Sequence, residues 1–446
     1  MIRTIVECES TPTLFFLFDG YIWKDTRPFL FPMKAIKYNL KISKVVRKKM
    51  KLAGNYTMIK YRADWPKPLV EHPKQVLVRP TIAGICASDL HQINLGNISY
   101  SASIIARKDS PYPLGHEVIG IVEEVGSEVD TLKVGDRVTH SPVVSCACYG
   151  FEPCESCKDG RPETCQAIAG IGDSSALEEK YGGRLNFGGF GSGGFSEYFV
   201  SYAGQFQPVP EDVSDDVAIL SEPLAVGIHA VKRKEPADKD TVLVIGAGII
   251  GLMIVRAIRG LGSKCRMIVL ARYPFQAEAA KRLGADEVIV ERDTNTLYQK
   301  VADLSGGHLI KPARGNKIIY GGSGPDIIFD SVGSDSTLDD SLHMIRNNGT
   351  VVIVGMDFGV TKKTDWILSV YKQVDVLGSM MHGMEDHNGE CVDTFEIAFE
   401  IMKENPTLLD GLVTHRYGIE EYKTAFSVAS NKGRNSAIKV AFEFGR

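Results

Sequence analysis

Two hydrophobic rhythms divide the chain. From Thr241 to Val354 short apolar runs alternate with amphipathic stretches: Thr241-Val242-Leu243-Val244-Ile245, Met267–Leu270, Glu287–Val290, Asp326–Asp330 and Thr350–Val354 read as strands, and Phe275–Leu283 and Ser336–Arg346 as helices between them. An unbroken apolar run marks a strand covered on both faces of a parallel sheet, and the alternation predicts a doubly wound α/β domain. A helix over Leu224–Val231 leads into it, and the polar segment Ser305–Gly324, with six glycines, reads as a surface insertion.

Met33 to about Gly227 has a different texture. Gln75–Ala83, Val118–Gly126 and Val134–Val138 are short runs that stop at glycines, as barrel strands do, so a mostly β domain is expected there. The last ~60 residues are mixed in character, and Ala437–Phe442 suits a closing strand that rejoins this first domain. Residues 1–32 show no clear period and are expected to be an appendage or an over-called start. The resulting division is an extension (1–32), a β-rich domain (33–228), a nucleotide-type domain (229–384) and a return to the first domain (385–446).

Composition removes several functional classes. The formal charge of −4 carries no single-sign excess, and the one basic run, Lys41–Lys51, is interleaved with apolar residues, which argues against a nucleic-acid partner. No apolar run reaches the ~18 to 20 residues needed to span a bilayer. Thr11–Trp23 is broken by Asp19, and Glu7 and Glu9 stand where a secretory signal would be basic, so a cytoplasmic protein is expected. Of nine cysteines, five lie between Cys146 and Cys165, a crowding that points to a metal rather than to a disulfide scaffold.

Chemistry gathers in four places. After the Thr241–Ile245 strand comes Gly246-Ala247-Gly248-Ile249-Ile250-Gly251, a G-x-G-x-x-G opening a helix. Gly246 allows the tight turn, Gly248 the approach of a pyrophosphate to backbone, and Gly251 close helix packing, while the helix start offers free N–H groups to phosphate. After the second strand, where an acidic residue would take a ribose 2′-hydroxyl, the chain has Arg272, which favours NADP(H) over NAD(H). In the cysteine-rich loop, Cys154-Glu155-Ser156-Cys157 and Cys165 match a tetrahedral thiolate zinc site; Cys148 is taken as the fourth ligand, with Cys146 the alternative. Finally, Gly84-Ile85-Cys86-Ala87-Ser88-Asp89-Leu90-His91 packs a thiol, a hydroxyl, a carboxylate and an imidazole into eight residues behind a strand.

Taken with Gly115-His116-Glu117, Gly193-Gly194-Phe195-Ser196-Glu197-Tyr198 and Glu222-Pro223-Leu224-Ala225-Val226-Gly227-Ile228-His229, these motifs resemble the zinc-dependent medium-chain dehydrogenases, especially the polyol, sugar and threonine branch, from Met33 to Arg446. The resemblance implies a Rossmann nucleotide domain beside a GroES-like catalytic domain, two zinc ions per chain and a homodimer or homotetramer. It makes Cys86 and His116 ligands of a catalytic zinc, with Glu117 or Glu222 completing the set, and Asp89 the group that orients His116.

The implied reaction is oxidation of a secondary alcohol of a polyol, sugar or hydroxy-amino acid, or its reverse. Zinc lowers the pKa of the substrate hydroxyl, Ser88 takes the proton towards His91, and the nicotinamide exchanges a hydride with carbon. A zinc-free reductase on this scaffold would lack the Cys86/His116 pair, and a non-catalytic nucleotide-binding protein would not need the relay residues. The loops Asn94–Ser110 and Ile168–Gly193 are longer than the family's usual lengths and are expected to rim the cleft.

Overall fold

The computed structural model describes residues 14–18, 21–25, 32–39, 41–52, 54–94, 112–149, 151–165, 193–313, 315–356 and 360–445. Two large sheets organise it. One is a six-stranded parallel sheet in the order Glu287–Ile289, Arg266–Leu270, Thr241–Ile245, Ile327–Asp330, Thr350–Ile353, Asp375–Gly378. In chain order this is 3-2-1-4-5-6, the doubly wound arrangement whose ligand crevice opens between the first and fourth strands at their carboxyl ends. The continuous apolar run of Thr241–Ile245 has a direct cause. Side chains alternate across a strand, and Val242 and Val244 pack into one hydrophobic cluster while Leu243 and Ile245 pack into another on the opposite face.

The other sheet has seven strands and is largely antiparallel, in the order Phe206–Pro208, Arg137–His140, Glu117–Val125, Gln75–Gly84, Lys439–Glu443, Val413–Gly418, with Phe199–Tyr202 also paired to Gln75–Gly84. The C-terminal strand thus lies against Gln75–Gly84, with Ala441 opposite Gly84. An aromatic core of Phe195, Phe199, Phe206, Phe426 and Phe442 fills its interior, each ring contributing on the order of 1.5–3 kcal/mol by burial. Ile82 and Ile119 join the cluster that covers the parallel sheet, so the two units share apolar contact.

Several local features differ from the sequence expectation. The strand expected at Val134–Val138 begins only at Arg137, because Gly135 turns the chain with φ 94°. The segment read as a surface insertion carries a small hairpin, Leu309–Ile310 with Ile318–Ile319, and Ile319 is fully buried in it. The basic run is the helix Ile42–Lys49. A hairpin, Met384–His387 with Glu390–Asp393, turns at Asn388-Gly389, both residues having positive φ. In the extension, the backbone of Leu14–Phe18 pairs with Tyr21–Asp25. Among the described residues no helix is long and apolar enough to cross a membrane.

Candidate active site and metal centres

The strand Gln75–Gly84 ends beside the start of Glu117–Val125, with Gly84 opposite Glu117. A Cβ on Gly84 would stand 2.1 Å from Glu117 Oε2, so only glycine admits that carboxylate. Next comes Cys86, followed by the helix Ala87–Asn94. Gly115, at φ 87°, turns the chain so that His116 and Glu117 face Cys86, and a side chain there would collide with the Phe195 ring. Donor atoms of Cys86, His116 and Glu117 all lie within 4.8 Å of one another.

The surroundings are densely charged. Asp89, almost fully buried, accepts the Cys86 N–H through Oδ2 at 2.9 Å, and its Oδ1 stands 3.8 Å from His116 Nδ1. Asp89 was expected to orient His116; it faces the His116 ring at ion-pair distance with one oxygen and holds the Cys86 backbone with the other. Glu117 is held by Lys439, whose Nζ donates to Oε1 at 2.6 Å and also to Oε2. Both are about 1% exposed.

Glu222 lies in the first turn of the helix Ser221–Arg233, buried, and outside the three-donor group. Burial pushes its pKa up to about 7, with His116 opposing and Glu117 adding to the rise. Burial would lower His116, but Cys86, Asp89 and Glu222 outweigh it and raise its pKa well above the ordinary value. The protein on its own therefore relieves an excess of negative donors by holding protons. A divalent cation would neutralise the same excess and release them, which is the chemistry expected of a metal site. Ser88 and His91 sit partly buried on the helix Ala87–Asn94, three residues apart and so on one face.

A second cluster contains Cys146, Cys154, Cys157 and Cys165, whose sulfur atoms also lie within 4.8 Å of each other. Cys146 Sγ is 3.5 Å and Cys154 Sγ 3.7 Å from Cys165 Sγ. These separations are far beyond a disulfide bond but near the ~3.8 Å edge of a tetrahedron built on Zn–S bonds of about 2.3 Å. Burial pushes Cys157 up to about 11 when no metal is bound.

Cys148, taken from the sequence as the fourth ligand, is not in this group. Cys146 replaces it. Both lie on the one-turn helix Cys146–Tyr149, where residues two apart point to opposite sides. Cys148 Sγ turns to the Ser145 N–H at 3.4 Å instead.

The nucleotide-type crevice is formed by Gly246, Gly248 and the helix Ile249–Gly260. Gly246 has φ 93°, and a Cβ on Gly251 would stand 1.8 Å from the Gly246 carbonyl oxygen. By contrast, nothing lies within 4 Å of a Cβ on Gly248, the open side that a phosphate would fill. Ile249 and Ile250 begin the helix and offer its free N–H groups. Ser331 Oγ braces the turn, donating to the Ile245 carbonyl at 2.8 Å. Arg272 is exposed beyond the second strand, its guanidinium 5.7 Å from the Tyr273 ring centre.

Sequence reasoning missed Lys439. The signal for Lys439 was a lysine inside the apolar run Ala437–Phe442. His382, just past the last parallel strand, is buried with Nε2 unpartnered among the described residues, and burial pulls it down to about 3. The loops Asn94–Ser110 and Ile168–Gly193, expected to rim the cleft, fall almost wholly outside the described residues.

Comparison with known proteins adds independent observations. Residues 72–211 match the family model described as alcohol dehydrogenase GroES-like domain, and residues 250–397 the one described as zinc-binding dehydrogenase. A sorbitol dehydrogenase of Arabidopsis thaliana is 30% identical over 370 residues, covering 83% of this chain and 88% of the relative. A D-xylulose reductase A of Aspergillus oryzae is 29% identical, covering 84% and 92%. Among solved structures, an Escherichia coli CFT073 protein described as a short chain alcohol dehydrogenase, complexed with NADH, superposes with TM-score 0.68 at 25% identity, covering 92% of this chain and 99% of that one.

Proposed function

The chain belongs to the zinc-dependent medium-chain dehydrogenases, enzymes that move a hydride between an alcohol and a nicotinamide cofactor, and within that chemistry we propose a secondary alcohol of the polyol or sugar class as its substrate. The named relatives act on such compounds, and the observation that carries the reading is the meeting of Cys86, His116 and Glu117 within 4.8 Å. When bound, zinc at these residues would acidify the substrate hydroxyl, and the cofactor would supply or accept the hydride.

The protein's own groups do the rest. Asp89 fixes the Cys86 backbone, and Lys439 fixes the Glu117 carboxylate. Glu222 supplies a further carboxylate beside His116. Ser88 accepts the proton leaving the substrate hydroxyl, and His91, one turn along the same helix face, carries it outward. A second zinc is assigned to Cys146, Cys154, Cys157 and Cys165, where it ties the lobe together.

NADP(H) is the preferred cofactor in this reading, because Arg272 offers a cation to a ribose 2′-phosphate and no acid stands in its place. We place the protein in the cytoplasm, where its thiols stay reduced. The assembly is a homodimer or homotetramer. Trp366, Ile367, Val370 and Tyr371 are apolar and solvent-facing near Asp375–Gly378, the edge strand of the parallel sheet among the described residues, a surface suited to a second copy.

Metal analysis of the purified protein should find about two zinc ions per chain. Cys86→Ala should retain one of them and NADPH binding while losing at least about a thousandfold in kcat on a panel of polyols, aldoses, threonine and simple secondary alcohols. Retained turnover in that variant would overturn the metal mechanism, and a preference for NAD above tenfold would overturn the role of Arg272.

A further inference from the structure

The cofactor assigned above carries two negative charges on its pyrophosphate, between the nicotinamide end and the adenosine end. The glycine turn meets them with backbone N–H groups and the half-charge of a helix start. Between Val242 and Val255 there is no lysine or arginine, and the residue after Cys86 is alanine. Arg272 stands at the adenosine end. The fold's own cation for the middle of the cofactor has to come from elsewhere.

Across the crevice lies the short segment Asn431–Ala437. One side of it meets the catalytic centre: the Ala437 N–H donates to the Lys432 carbonyl at 3.0 Å, and two residues further on Lys439 grips Glu117. The other side meets the nucleotide unit. A Cβ on Gly433 would be 2.2 Å from Tyr273 Cζ, so this backbone lies directly on the ring that follows Arg272. Lys432 therefore sits on the segment that joins the catalytic centre to Tyr273, the residue after Arg272. Unlike Lys439, its partly buried ammonium has no hydrogen bond or ion pair among the described residues.

We propose that Lys432 binds the cofactor pyrophosphate, closing the crevice from the catalytic side opposite the Gly246–Gly251 turn. This rests on the NAD(P) reading of the same crevice. Burial and the neighbouring Lys439 hold the Lys432 pKa below the ordinary lysine value, while Cys86 and Glu117 pull the other way. An arriving pyrophosphate dianion would pair a cation that has no partner among the described residues.

The test is calorimetric titration of the zinc-loaded protein, with the KM for the alcohol measured alongside as a control. Lys432→Met should weaken ADP-ribose, NADH and NADPH alike by about ten- to thirtyfold, the size of one lost charge-assisted contact. It should flatten the salt dependence of binding, leave 2′-AMP (which has no pyrophosphate) within twofold, and be largely reversed in Lys432→Arg. Unchanged ADP-ribose binding overturns the proposal. An equal loss for 2′-AMP overturns it too, by showing a structural role, as does a raised KM for the alcohol with ADP-ribose unaffected, which would assign the lysine to the substrate. Failure of the unaltered protein to bind any of the dinucleotides would bring down the cofactor reading itself.

Discussion

Around Thr241–Ile245 both faces of the sheet are apolar, and a ligand would be met by backbone: a turn at Gly246, a helix start at Ile249, and the open side of Gly248. Around the end of Gln75–Gly84 the chain instead buries the charged residues Asp89, Glu117, Glu222 and Lys439 around Cys86 and His116. The first arrangement is cheap to fold and can recognise a phosphate group without burying charge. The second is costly to desolvate and is stable only as a complete set, because each charge offsets another. The two units thus differ in how much charge each buries, and the unit that buries more should be the more fragile to single substitutions.

The largest difference should appear in the thiol lobe. Cys146→Ser should cost one zinc and more than about 4 kcal/mol of stability, since metal binding there is folding energy, whereas Cys148→Ser should keep both zincs and cost less than about 1 kcal/mol. Zinc stoichiometry with urea unfolding checks this, and equal effects at the two positions would break the assignment.

Next in size is the buried pair. Lys439→Met strands Glu117 and should cost about 3–5 kcal/mol, most of it recovered when Glu117→Gln is added, in a double-mutant cycle read by unfolding. A single variant costing under about 1 kcal/mol would mean that the pair is not needed.

The smallest effect tests the apolar unit. Lys372 is fully buried in it, donating to the Leu342 and His343 carbonyls at 2.7 and 3.3 Å, and burial lowers its pKa from 10.5 to about 7. Between those values the unfolded chain holds a proton that the folded one has shed, so stability from this group rises with pH through that window. From pH 7 to pH 9 it should contribute about 1–2 kcal/mol, a slope that Lys372→Met should lack. An unchanged slope in urea midpoints would show that the lysine stays charged when folded.

Much of the site was legible because its chemistry is local. The glycine turn, the Cys86–His91 stretch and His116–Glu117 each sit at the end of a strand whose period is visible, and their spacing reflects turn and helix geometry over fewer than about ten residues. Cys146 and Cys148 show where that ends. Both are equally good thiols, and only the placement of a one-turn helix against Cys154, Cys157 and Cys165 turns one inward. The hairpin at Met384–Asp393 was missed for a related reason: its Asn-Gly turn is readable, but its strands are too short and polar to show a period.

By itself the sequence determined the strand and helix periods, the glycine turn that suits a dinucleotide, and which residues could serve as donors, all properties of neighbouring residues. Tertiary structure alone decided the pairings. Glu117 and Lys439 are 322 positions apart and meet only because the last strand closes beside Gln75–Gly84. The segment that carries Lys432 is brought against Tyr273 by that same closure. Long-range charge pairing depends on which strand ends share a sheet edge, and no local pattern encodes that.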